Sequence, residues 1–108
     1  MATGGRRVIR DGDARIAREM GYSLTEFAQV LPSAMRDWTV SGGPDIWRVS
    51  DRAGESIAVI TTLPQAVRAL GALRIPVLRV EIELLAASPT VAGEFSRRFE
   101  RGFHRGGG

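Results

Sequence analysis

The sequence has no cysteine, no lysine and a single histidine, His104. Those absences exclude a thiol nucleophile, a Schiff-base amine, a cysteine–histidine zinc site and any metal site built on a histidine pair. No stretch approaches the ~20 consecutive apolar residues that a membrane-spanning helix needs. A phosphate-cradling P-loop and a Gly-x-Gly-x-x-Gly turn are both missing. With so little reactive chemistry, the chain is expected to be a binding protein and not an enzyme, without cofactor or metal.

What remains is ordinary for a globular domain. The 108 residues suffice for one domain, with 44% hydrophobic and 25% charged residues. A chain of this size buries roughly 65% of its unfolded surface, so it can hold a core without disulfides or metals. The formal net charge is +3, and every basic residue is arginine. Arginine suits bidentate contacts to carboxylate or phosphate. The start of the chain has two arginines but no apolar run behind them, so no signal peptide is expected, and a cytoplasmic location follows.

Residues 1–12 are rich in glycine and charge and are expected to be disordered. A single domain is expected over 13–105, followed by a flexible glycine tail at 106–108. Asp13 to Met20 reads as a short helix closed by Gly21. Ser23 and Glu26 form a capping box, and Leu24, Phe27, Ala28 and Leu31 fall on one helical face that Pro32 should kink or stop. The turn formers Ser41 to Asp45 precede a short strand at Ile46–Ser50. A second turn, with Gly54, leads to a strand at Ser56–Thr61. Thr62 and Gln65 repeat the capping pattern. They start an expected helix carrying Leu63, Val67, Leu70 and Leu73 that stops before Pro76. Val77 to Leu85 alternates strictly, with Leu78, Val80, Ile82 and Leu84 against Arg79, Glu81 and Glu83, which specifies a strand with one buried and one wet face. Ser88 and Pro89 start a last helix with Val91, Phe95, Phe99 and Phe103 on one stripe.

The expected fold class is therefore α+β: a two-layer sandwich whose four-stranded, mainly antiparallel sheet has helices packed on one face. The expected order is α-α-β-β-β-α-β-α.

Two surfaces stand out as candidate binding sites. Arg97, Arg98, Arg101 and Arg105 form the strongest basic cluster, on the side of the last helix opposite its phenylalanines. The wet strand face offers Arg79, Glu81 and Glu83. The two glutamates lie about 7 Å apart by strand geometry and are expected to pair with arginines such as Arg48 or Arg79. Trp38 and Trp47 flank a glycine-rich turn, and at least one is expected in the core. Gly93 and Gly102 weaken the last helix unless close packing requires them.

Two resemblances rest on short motifs. Ala17, Gly21, Phe27 and Val30 have the spacing of a helix-turn-helix, which implies DNA binding. The second helix would offer Thr25, Glu26 and Gln29 to base edges, with no arginine before Arg36. The terminal Gly107-Gly108 resembles the tail of ubiquitin-like sulfur carriers, although those end on a strand and this tail follows a predicted helix. The expected function is a small non-catalytic binding or adaptor domain with a protein partner. Nucleic acid bound by the helix-turn-helix-like segment or the arginine-rich helix is the alternative, and a Gly-Gly carrier is a third. An exposed edge strand invites homodimerisation. No membrane partner is expected.

Overall fold

The computed structural model describes residues 15–85 and 88–104. The expected disordered start, the glycine tail and Arg105 lie outside them. The chain runs β1 (Arg15–Met20), α1 (Leu24–Met35), β2 (Thr39–Gly42), β3 (Ile46–Ser50), β4 (Ser56–Leu70), β5 (Leu73–Leu84) and α2 (Pro89–Gly102). All strands join one antiparallel sheet in the order β1-β5-β4-β3-β2. The α+β class holds, while in place of the expected four strands and four helices the described residues form five strands and two helices.

The expected first helix is the edge strand β1. Its few residues cannot sustain an isolated helix, and pairing Arg15 with Glu83 through Met20 with Leu78 satisfies its backbone instead. The helix expected after Thr62 is also absent. β4 continues straight through Pro64 to Leu70, turns at Gly71-Ala72, and returns as β5 from Leu73. Gly71 has φ 61°, the backbone that a two-residue hairpin turn requires at its first position. Thr62 does not cap a helix. Its hydroxyl donates to the Pro44 carbonyl at 2.6 Å and its N–H to that of Asp45 at 2.8 Å, which pins the β2–β3 loop against β4.

The capping box of α1 forms as its sequence dictates: Ser23 Oγ accepts from the Glu26 N–H at 3.1 Å, and Glu26 Oε1 from the Ser23 N–H at 2.9 Å. The helix does not stop at Leu31. It passes through the exposed Pro32, because the turn beyond buries Ala34 and Met35 in the core beside Phe27 and Leu31. Ser88 caps α2 as expected, accepting from the Thr90 and Val91 N–H groups.

One core joins these elements. Phe27, Leu31, Phe95 and Phe99 from the helices meet Trp47, Val49, Ile60, Val80 and Ile82 from the sheet. Rings stack along α2, with Phe99 4.7 Å from Phe103, which lies 4.9 Å from Phe27. Trp47 is the core tryptophan, and Trp38 packs half-buried at its margin. Gly102 is demanded by packing, since a Cβ there would collide with Ala34 Cβ of α1. Trp47, Val49, Ala58, Ile60, Leu78, Val80 and Ile82 share one face of the sheet, and among the described residues no helix packs on the other.

Candidate functional site

The bare face follows from strand alternation. On β5 it displays Leu73, Ile75, Val77, Arg79, Glu81 and Glu83, since alternate residues share a face. Their partners across β4 are Leu70, Arg68, Gln65, Leu63, Thr61 and Val59, with a register shift between Gln65 and Arg68. β3 adds Ile46 and Arg48, opposite Thr61 and Val59. β1 adds Arg15, Ala17 and Glu19, opposite Glu83, Glu81 and Arg79.

This face has two halves. In the head, five strands lie side by side. Beyond Leu63 and Leu78 neither β3 nor β1 accompanies the hairpin, and β4 and β5 continue alone as a two-stranded arm. The arm stretches the molecule to 52 Å in its longest dimension, against 31 and 25 Å. An isolated hairpin is marginal in water, and this one exposes large apolar side chains. Leu70 is 54% and Leu73 64% exposed at the tip, Leu63 40% and Ile46 56% at the base. These four share the bare face, so the apolar strip runs roughly 30 Å along the hairpin at ~3.3 Å per residue.

In the head, the face is charged and balanced. Arg79 Nε donates to Glu81 Oε2 at 2.9 Å along the same strand. Glu83 lies across from Arg15, and Arg48 lies opposite Val59, so the expected pairing with Arg48 does not form. Between these residues is an open depression of about 240 Å³, lined among others by Arg15, Ala17, Val59, Thr61, Glu81 and Glu83. Each glutamate has an arginine neighbour in the sheet.

The basic cluster on α2 is dismantled by its own neighbours. Arg98 is only 13% exposed. Its Nε donates to Glu94 Oε2 and its Nη1 to Asp37 Oδ1, both at 2.9 Å, and Nη1 also to the Met35 carbonyl at 2.6 Å. Its guanidinium lies 3.9 Å from the centre of the Trp38 ring. Arg98 is therefore a tie between α2 and the end of α1. Its hydrogen bond holds the Asp37 carboxyl below the usual range, and hydrogen bonds from Arg98 and Arg97 do the same for Glu94. The hydrogen bond to Glu94 in turn raises Arg98. Arg97 pairs with Glu94 at 2.9 Å. Arg101 is exposed with no ion-pair partner among the described residues.

The helix-turn-helix spacing does not correspond to two helices, since Ala17 to Met20 belong to β1. Sequence reasoning placed Arg79, Glu81 and Glu83 together correctly but missed the arm. Its signal was the Leu70-Gly71-Ala72-Leu73 turn and the alternation Leu73, Ile75, Val77 that extends β5 backwards. Comparison with protein-family models, with curated proteins and with solved structures finds no match to this chain.

Proposed function

We propose that this chain is a non-catalytic, cytoplasmic protein-binding module that works through the bare sheet face and the arm extending it. The observation that carries this reading is the apolar strip from Ile46 and Leu63 to Leu70 and Leu73, which no element of the described residues covers. Fully burying one such side chain contributes about 1.5–3 kcal/mol, so a partner covering the strip gains most from its leucines. Charge balance in the head makes the face selective without attracting polyanions. The arginine-rich helix offers a weaker alternative site for nucleic acid, because Arg98 and Arg97 already hold carboxylates.

The test is a pull-down from lysate of the native organism with an N-terminal tag, with and without nuclease, at low and high salt. The intact chain and a Leu70→Gln/Leu73→Gln variant are compared. A defined protein that survives nuclease and salt and is lost with the variant supports the reading. Recovery of nucleic acid that salt removes overturns it, since phosphate contacts weaken steeply with salt. So does a protein partner held equally by the variant.

A further inference from the structure

We infer that the notch where the end of α1 meets α2 is a binding site for a phosphate monoester, held as its dianion. It lies in the helical layer, on the opposite side of the sheet from the bare face, and is independent of the protein-binding reading.

Val30, Ser33 and Arg36 on one side and Arg98, Arg101 and Gly102 on the other line a notch of about 190 Å³. The helices touch where Gly102 faces Ala34, and both residues belong to its wall. Three of the lining residues are arginines and none is acidic. Arg98 is held by Glu94 and Asp37, which lie outside the notch. Arg36 and Arg101 are exposed and meet no carboxylate among the described residues. Two free guanidiniums are thus brought to one recess.

The backbone of Arg36 is a second, independent observation. It has φ 58° and ψ −114°, the only positive φ at a non-glycine among the described residues. Glycine is the usual occupant of such a position after a helix, because a Cβ crowds the backbone there. The Arg36 N–H closes α1, donating to the Pro32 and Ser33 carbonyls at 3.2 and 3.3 Å, which a glycine would do equally well. The side chain itself makes no hydrogen bond or ion pair among the described residues. Nothing within the fold therefore calls for a strained arginine here, and strain of this kind clusters where ligands are held.

The donors select the ligand. One planar guanidinium fork satisfies a carboxylate. Two guanidiniums from different elements, with the Ser33 hydroxyl beside them, suit a tetrahedral group with three free oxygens and a charge of about −2, which a phosphate monoester has at neutral pH. The carbonyls at the end of α1 would repel an anion, but those of Pro32 and Ser33 are taken by the Arg36 N–H and that of Met35 by Arg98 Nη1. The notch is smaller than the ~300 Å³ at which drug-sized pockets begin, so it takes the phosphate and few atoms beyond it.

The test is a titration of the isotope-labelled full chain in chloride buffer at neutral pH, followed through the Ser33 and Gly102 amide signals and the Arg36 and Arg101 side-chain N–H signals. Methyl phosphate should shift them saturably, and dimethyl phosphate, with a single charge, should bind at least ~10-fold more weakly. Arg101→Gln should weaken methyl phosphate by ~10-fold with the melting temperature unchanged. Arg36→Gly should weaken it as much while raising the melting temperature, since it removes the strain together with the guanidinium. Arg97→Gln, outside the notch, should leave binding intact. A phosphoserine tripeptide separates the sources: affinity equal to that of methyl phosphate assigns the site to a free monoester, and tighter binding to one carried on a peptide. Absence of a saturable shift, equal binding of dimethyl phosphate, or affinity unchanged in Arg36→Gly and Arg101→Gln overturns the inference. So does a lower melting temperature for Arg36→Gly, which would make that arginine a support of the fold.

Discussion

At the scale of single residues, Arg98 separates what a basic cluster looks like from what it does. The four arginines named from the sequence are similar on a helical wheel. Of the three within the described residues, only Arg98 is nearly buried, bound to a backbone carbonyl, two carboxylates and an indole face. Arg98→Ala should therefore lower stability by ~1–3 kcal/mol through the lost carbonyl bond and ring contact, read as a fall in melting temperature. Arg101→Ala should stay within ~0.5 kcal/mol. The pH dependence has a definite sign. Asp37 and Glu94 are held below their ordinary values of 3.8 and 4.5, so folding favours their ionised forms. Their contribution is complete above those values and is lost as pH falls through the lower folded ones. Between neutral pH and pH 3, the stability of Arg98→Ala should decline less steeply than that of the intact chain. An equal decline in both would place the acid sensitivity elsewhere.

Among the elements, the two helices were legible and half of the sheet was not. Capping boxes and serine caps are local: Ser23 with Glu26, and Ser88 with the N–H groups that follow, specify a helix start within a few residues. Thr62 and Gln65 have the same pattern, but the Thr62 hydroxyl is used by a loop that precedes it by 17 and 18 residues, which no local reading supplies. The stripe Leu63, Val67, Leu70, Leu73 fits a helix, but in the structure the register shift after Gln65 brings Leu63 and Leu70 to one face of β4, and Leu73 lies beyond the turn on β5. β1 was misread for the same reason, because its partner lies at the far end of the domain. The wet face of β5 was correctly found from alternation alone. The α1–α2 crossing was foreshadowed by Gly102, whose helix cost is offset by contact with Ala34. Gly102→Ala should destabilise by ~1–3 kcal/mol through overpacking, despite its better helix propensity. A melting temperature equal to or above that of the intact chain would show that the helices separate without penalty.

For the molecule as a whole, core and binding surface occupy different regions. Every core residue lies in the head, and none lies between Leu63 and Val77. Stability and recognition can thus be altered separately. Replacing residues 66–76 by a two-residue turn, which keeps Gln65 opposite Val77, should leave a cooperative unfolding transition within a few degrees of the intact chain, while removing whatever binding the arm confers. If the shortened chain instead loses its cooperative transition, the arm contributes to folding and the division fails.

The pairing of β1 with β5 has a consequence for synthesis on the ribosome. The two strands are about sixty residues apart in sequence, and at ~5–20 residues per second the later one emerges roughly 3–12 s after the earlier. Throughout that interval β1 has no native partner. Half of its six residues are charged, Arg15, Arg18 and Glu19 beside Ile16 and Met20, a composition that favours hydration of an unpaired edge segment over pairing with other chains.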